Sequence, residues 1–496
     1  MYTLLSAPPE QMGVPSGALQ RFVEHLTEKR LCLHSVLVLR HGKLIAEGYA
    51  PPFHAGRLHR MYSVSKSFVS IAIGLLVGEG RVALDDPIAS YFPEKLPPRL
   101  HPFLAGTTIR DLLRMATPFA CNNYTVQDLD WVAAFFDKEP AFPGGTLFHY
   151  NTAATVVLNA LVEKLSGAPS FVAYLRPRLL DPIGFSPDAW CIQRPEGGAW
   201  GGSGVLCTPR DLARFALVLL QNGRWGGRQL IPAEYVAAAT AKQIDNRLHS
   251  DDPELQFGYG YQFWRVRHNG FACVGMGSQL AVCLPDQDLI LVTTGDTQEI
   301  PNGNNLILEA LWEDIYPHLS NGPLPENPTA CRALADRLRR MELLPVEGAA
   351  ASPSMRQWDG VRYDMLPNRM GLDHMTFRFG ADGGTLTYGN ATGAHVLSFG
   401  FGRFVCGSFP ETGYFGPQIG QRPGRPYDCA AMGAWANERT LILYVYILDD
   451  YLGTLKLQAV FDGAHIAVDM EKAAEWFLEE YSGECAGRCT AGGAAE

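Results

Sequence analysis

One serine and one lysine in this chain stand where chemistry could use them. In "MYSVSKSFVSIAIGLL", residues 61–76, Lys66 follows Ser63 by three positions at the head of an otherwise apolar run. That spacing on a helix puts both side chains on one face, within reach of each other. A serine hydroxyl is a weak nucleophile until a base takes its proton, and a lysine whose pKa is lowered by desolvation can be that base. Burying an ammonium is costly, so the amine either has a task or sits on an exposed helix start. The four-residue pattern alone allows both, although no other lysine in the chain has a serine three places before it.

Two further stretches carry reactive or permissive residue types. In "PGGTLFHYNTAATVVLNALVEKLSG", Tyr150 opens a helical pattern after a Gly-rich approach. A phenol beside an ammonium loses its proton more easily and can join a proton relay; the competing reading is a packed aromatic at a helix start. In "CVGMGSQ", residues 273–279, small residues at a strand edge would let a substrate backbone lie close. The competing reading there is a β-bulge.

These residues need elements to hold them. "SGALQRFVEHLTEK" has Leu19, Phe22, Val23 and Leu26 at helix spacing. "HSVLVLRHGKLIAEGYA" reads as a hairpin turning at His41 and Gly42. The Ser63 helix runs to about Gly80, and helical patterns continue through "TIRDLLRMAT", "NTAATVVLNALVEKLSG" and "TPRDLARFALVLLQNG". Strands return near residue 257, with a hairpin signal at Asn269-Gly270 and a Pro-Asp turn inside "SQLAVCLPDQDLILVTTGD". "NNLILEALWEDIYPHL" then reads as a helix. The expected packing is one antiparallel sheet, its early hairpin beside three late strands, covered by terminal helices, with the middle segment as a separate helical lobe.

"SNGPLPENP", residues 320–328, has linker composition, so the expected domains are 1–320 and 321–496. Beyond it come a charged helix, "ACRALADRLRRMELL", and then aromatic alternation with Asp-Gly turns, the pattern of a β-barrel or sandwich. A final helix, "EKAAEWFLEEY", is expected to pack on it, followed by a disordered Gly/Ala-rich tail.

Composition narrows the function. A chain of 496 residues with 47% hydrophobic and 19% charged content is a globular protein of more than one domain. A net charge of −10 argues against nucleic acid or an anionic membrane surface as partner. The N-terminus lacks a basic leader, and apolar runs such as "LILYVYIL" are too short to span a bilayer, so the expectation is a cytoplasmic protein. Most of the 11 cysteines, such as Cys32, Cys207, Cys283 and Cys406, sit in apolar runs as small hydrophobes. Only Cys485 and Cys489 in "GECAGRC" have a metal-like look, and free thiols are the better reading of that pair.

Taken in order, "LHSVLVLRHGKLIAEGY", "MYSVSKSF", "ALDDPIASYFPE", "TIRDLLRMAT", "FHYNTAATVVLNALVEKLSG" and "LCTPRDLARFALVLLQNGRWGG" resemble the β-lactamase-related serine hydrolases. This group includes class C β-lactamases, D-peptidases, esterases and 6-aminohexanoate-dimer hydrolase. The resemblance covers roughly residues 10–317. It implies an α/β domain of β-lactamase/transpeptidase type with an all-helical lobe and the active site between them. It also implies Ser63 as acyl-accepting nucleophile, Lys66 as its base and Tyr150 as the relay that protonates the leaving group. By the same alignment the N–H groups of Ser63 and Met276 form the oxyanion hole, with Gly275, Gln279 and Thr152 lining the substrate site. The β-rich C-terminal region looks like the accessory domain appended to many such hydrolases.

Two departures matter. The family's Tyr-x-Asn reads Tyr150-Asn151-Thr152, and its Lys-Thr-Gly place aligns with Cys273-Val274-Gly275. The esterase and amide-oligomer hydrolase branch also lacks that lysine and carries a Gly-x-Gly-Gly-Gln-like run, which Gly275 to Gln279 resemble. The expected function is therefore a serine hydrolase that cleaves a small amide or ester without metal or cofactor; an oligomer is compatible with it. The competing readings are a D-amino-acid peptidase or transacylase of the same fold, and a catalytically silent binding module. No Gly-x-Ser-x-Gly elbow supports a different hydrolase fold.

Overall fold

The computed structural model describes residues 4–121, 124–125, 128–250, 252–411, 426–474 and 481–489. The chain divides into two compact units, the first ending at Leu343 and the second beginning at Leu344.

The first unit is built on a six-stranded antiparallel sheet. Its order is Lys43–Tyr49, Leu33–Arg40, Leu289–Gly295, Gln279–Leu284, Phe271–Gly275 and Trp264–Arg265. The early hairpin thus lies beside the late strands, as expected. Its two-residue turn has His41 and Gly42 at φ 50° and 68°, the left-handed pair that suits the twist of a tight hairpin. Leu33–Arg40 is buried along its whole length, which explains why its sequence is apolar without alternation. The late hairpin differs from expectation. Its turn centres on His268 and Asn269, both at positive φ, with the Gly270 N–H donating to the Arg267 carbonyl at 3.0 Å. Its first strand is only Trp264–Arg265, because the preceding backbone bonds elsewhere: Tyr259 pairs with Ile244, and the Gln262 N–H donates to Leu113.

The Ser65–Gly78 helix, entered through a 3₁₀ turn at Tyr62–Val64, lies between sheet and lobe. Its entry turn meets the Phe271–Gly275 strand and its body packs on the Thr152–Ser166 helix. Buried on nearly every side, it has no polar face to show in its sequence. Trp131–Asp137 and Ile109–Leu113 complete that side of the lobe against Thr152–Ser166. Pro209–Leu220, expected among the lobe helices, instead lies on the sheet against Leu33–Arg40, Gln279–Leu284 and Leu289–Gly295. Thr208 and Asp211 close a capping box at its start. The sequence reading also lacked a small sheet of His59–Arg60, Val205–Cys207 and Trp190–Cys191, which carries the chain into the Ser63 turn.

The helix after the linker, Pro328–Arg339, packs on Ser16–Glu28 and buries Leu334 and Leu338. It therefore belongs to the first unit, and the division falls beyond residue 320.

In the second unit nine antiparallel strands follow one another from Gly393–Phe401 through Gly383–Asn390, His374–Phe379, Arg362–Met365, Gly483–Cys489, His465–Ala474, Leu452–Asp462 and Thr440–Leu448 to Asp428–Trp435. The parallel pairs Gly400↔Met432 and Phe401↔Gly433 close them into a barrel, and the short strand Val405–Ser408 pairs outside the ring. Leu386, Leu397, Leu443, Val445, Leu455, Leu457 and Met470 fill the interior. The expected last helix is corrected for its first four residues: Glu471–Ala474 extend a strand whose ladder runs to Gly453↔Ala474. Residues 475–480 and the tail from 490 lie outside the described residues. The "GECAGRC" run is a strand between His465–Ala474 and Arg362–Met365. Among the described residues no group of three or more metal-ligating side chains occurs, and no single helix is long and apolar enough to cross a membrane.

Candidate active site

Lys66 is 1% exposed, and its surroundings answer the question its sequence raises. One N–H donates to Ser63 Oγ at 2.9 Å and another to the Gly202 carbonyl at 2.6 Å. The ammonium also stands 5.0 Å from the centre of the Tyr150 ring. A buried amine is tolerable when hydrogen bonds and an aromatic face replace its water. The helical spacing of Ser63 and Lys66 sets the first contact, and the fold supplies the other two.

Tyr150 stands just before the Thr152–Ser166 helix, with its phenol hydrogen-bonded to Ser63. Burial pushes this phenol above its ordinary value, and the Ser63 bond only partly offsets that. This corrects the sequence reading, which had the nearby ammonium easing proton loss. The net shift is upward, so Tyr150 carries its O–H proton in the neutral range.

Its neighbours hold it in place. Asn151 caps the helix, accepting from the Ala153 N–H at 2.9 Å and donating to the Cys121 carbonyl at 2.8 Å. The Thr152 methyl packs on Gly202, where an added Cβ would come within 2.5 Å of it. Thr152 thus braces the loop that offers Lys66 its carbonyl.

The turn carrying Ser63 is strained at Tyr62, a non-glycine residue at φ 46°. Packing holds it there. The Arg60 guanidinium lies 4.3 Å from the Tyr62 ring and 5.1 Å from the Trp200 ring. It also donates to the Ser203 carbonyl and hydroxyl, each at 3.1 Å. The Met61 N–H donates to Val205 at 2.8 Å.

Gly275 ends its strand directly against this turn. A Cβ there would stand 2.4 Å from the Met61 carbonyl and 3.3 Å from the Ser63 nitrogen. The backbone of Gly275–Met276 and the Ser63 N–H therefore share one small space, the arrangement an oxyanion hole needs. Gln279 does not line that space. It is fully buried, and its amide donates to the Met276 and Gly295 carbonyls, both at 2.8 Å, while its oxygen accepts from the Gly295 N–H at 3.1 Å. The expectation that Gln279 contacts substrate is therefore corrected: every hydrogen-bonding atom of the side chain serves the backbone. Cys273, in the place of the family's lysine, is also fully buried, and burial pushes its thiol up to about 12. It brings no charge to the strand edge.

Three features were missed in the sequence. Trp264 stacks on Tyr150 with ring centres 5.5 Å apart, and Tyr259 and Phe148 pack against the same indole. Gln262 ties the halves of the unit together. Its amide donates to Leu112 and Leu113, its side-chain oxygen accepts from Thr155, and its backbone carbonyl accepts from Ser67. The Gly202 carbonyl was the third. Its only sequence signal is the small-residue run "GGSG", residues 201–204, where Gly201 is hemmed by Val69 and Asn159 and Gly202 by Thr152.

Comparison with known proteins gives the family of the chain. A family model described as Beta-lactamase matches residues 19–304. The chain belongs to the beta-lactamase family. The 6-aminohexanoate-dimer hydrolase of Paenarthrobacter ureafaciens is 29% identical over 353 residues, which cover 64% of this chain and 81% of that protein. Esterase EstB of Burkholderia gladioli is 28% identical over 206 residues, covering 35% of this chain and 51% of the esterase. A solved structure of a candidate 6-aminohexanoate-dimer hydrolase from Bacillus anthracis superposes with a TM-score of 0.53 at 19% identity, over 63% of this chain and 87% of its own. That last likeness shows the fold; the named relatives are hydrolases, and this chain is a hydrolase of their family.

Proposed function

We propose that this β-lactamase-family hydrolase cleaves a small amide or ester through an acyl-enzyme on Ser63. The observation that carries the reading is the 2.9 Å contact between the buried Lys66 amine and Ser63 Oγ, with the Tyr150 phenol on the same oxygen. In its neutral form Lys66 takes the Ser63 proton as Oγ attacks the substrate carbonyl. The developing oxyanion is held by the N–H groups of Ser63 and Met276. Tyr150 gives its proton to the leaving nitrogen or oxygen and regains one from Lys66. Water, activated by the same pair, then releases the acyl group and returns Ser63. The two named relatives, one a 6-aminohexanoate-dimer hydrolase and one an esterase, support the amide or ester class.

The test is labelling with a small active-site phosphonate, followed by turnover of a panel of p-nitrophenyl esters and short amides. Wild type should be labelled on Ser63 alone, and Ser63→Ala should lose both labelling and turnover. Labelling of a different serine, or turnover that survives Ser63→Ala, would overturn the assignment.

A further inference from the structure

The three-residue turn Met276–Ser278 links the Phe271–Gly275 and Gln279–Leu284 strands, and all its carbonyls are tied down. The Met276 carbonyl accepts from Gln279 Nε2 at 2.8 Å, that of Gly277 from the Thr297 N–H at 3.4 Å, and that of Ser278 from Thr293 Oγ1 at 2.8 Å. In a trans peptide the N–H points opposite to the C=O. Anchoring these carbonyls therefore sets the N–H groups of Gly277, Ser278 and Gln279, while the Met276 N–H shares its peptide plane with the Gly275 carbonyl. Gln279 bounds Met276 from both sides. Its backbone is in register with Gly275, and its side chain holds the Met276 carbonyl. The same amide grips both backbone groups of Gly295, and a Cβ on Gly295 would lie 2.6 Å from the Cys32 carbonyl. The turn is thus bolted through one side chain to the middle of the sheet.

We infer that Gln279 is a positioning residue: its backbone, in register with Gly275, holds the peptide that carries the Met276 N–H, and its amide fixes the next peptide through the Met276 carbonyl, so that the Met276 N–H stays aimed into the oxyanion hole. This rests on the serine-hydrolase reading above. One oxyanion donor is then held in place by a buried residue that never meets substrate. This role also gives a reason for a polar residue at a fully buried strand start, where an apolar one would fill the volume without holding the turn.

The test uses the full-length chain with Gln279→Glu, Gln279→Asn and Gln279→Met. Glutamate turns a carboxylate oxygen toward two carbonyls, asparagine withdraws the amide by one carbon, and methionine leaves the carbonyls unpaired. Rates on a short p-nitrophenyl ester are expressed per phosphonate-titratable site, so misfolded material drops out. The expected result is a fall in kcat of about 10²-fold, the usual consequence of misplacing a reacting group by about 1 Å, with KM within about twofold. Inhibition by a small alkyl boronic acid, whose adduct is tetrahedral, should weaken by a similar factor. If kcat per titrated site and boronate affinity stay at wild-type values while only thermal stability drops, Gln279 is a packing residue and the inference is wrong. A wild type that neither takes up phosphonate nor turns over any ester would remove the underlying reading instead.

Discussion

Replacing Gly275 by alanine isolates the contact between nucleophile turn and strand edge. The glycine is not needed for its backbone freedom, since it is absent from the residues at positive φ. It is needed because a Cβ would sit 2.4 Å from the Met61 carbonyl and 3.1 Å from Gln279 Cβ. Carbon and carbonyl oxygen in contact lie about 3.3–3.6 Å apart, so the two walls must separate by roughly 1 Å. Neither can yield locally: Met61 is held to Val205 and Val64 by backbone bonds, and Gly275 is paired to Gln279. The gap opens between the Ser63 and Met276 N–H groups. A hydrogen bond near 2.9 Å stretched by that amount passes about 3.8 Å and is lost. Losing one oxyanion donor costs about 2.7–4 kcal/mol of transition-state stabilisation, or 10²–10³ in kcat. Ground-state binding changes little, because the donors act on charge that develops only during attack. The assay is kcat and KM on a short p-nitrophenyl ester, with the phosphonate labelling rate and circular dichroism as controls. A folded Gly275→Ala variant with wild-type kcat would refute the argument that the oxyanion hole lies between these backbones.

Lys66→Ala and Tyr150→Phe should each lower turnover by at least about 10²-fold while the fold persists; wild-type turnover in Tyr150→Phe would make Tyr150 a packing aromatic. Nitrocefin should be hydrolysed with a lower specificity constant than a short ester. Cys273 offers no charge to a β-lactam carboxylate, and a charged hydrogen bond is worth about 1.5–3 kcal/mol; a higher specificity constant for nitrocefin would show the strand edge to be misread. Stability should fall on acidification because of a buried histidine pair. His34 Nδ1 lies 2.9 Å from His59 Nε2, and His59 Nδ1–H donates to the Arg60 carbonyl at 2.9 Å. Burial and the nearby Arg57 charge push His34 well below its ordinary value and His59 down to about 4. Both groups are depressed, so the unfolded chain binds more protons. The stabilisation is intact above the unfolded pKa near 6.5 and is lost as pH falls toward 4, at up to about 1.4 kcal/mol per pH unit per histidine. Urea unfolding at steps from pH 7 to 4.5 measures this slope, and an unchanged slope in a folded His34→Phe variant would exclude the pair as its source.

Several features of this protein can be read without its structure, because they depend on neighbours in the chain. Helical spacing puts Ser63 and Lys66 on one face, and alternation and turn residues announce the hairpins and the β-rich second unit. The apolar run of Leu33–Arg40 marks a central strand. Where local signals compete, the reading slips. Asn269-Gly270 suggested a turn one position late, and "EKAAEWFLEEY" has helix-forming composition although Glu471–Ala474 join a ladder. Ladder bonds to a neighbouring strand outweigh a weak local propensity. "SNGPLPENP" looks like a boundary, but whether the helix after it joins one core or another depends on where Leu334 and Leu338 find apolar partners.

The site shows the same division more sharply. Residue types and spacing offer Ser63, Lys66 and Tyr150 only as candidates beside packing alternatives, and the resemblance to the β-lactamase-related serine hydrolases is what singles them out. The acceptor on Gly202, the buried state of the Tyr150 phenol, the stack with Trp264 and the inward-turned amide of Gln279 have no such signature. They arise when backbone groups and rings far apart in sequence are brought within a few ångströms. A carbonyl is the same in every residue, so only the tertiary structure decides which one faces Lys66; and desolvation, which sets the protonation of Tyr150, belongs to the packed assembly rather than to any residue in it.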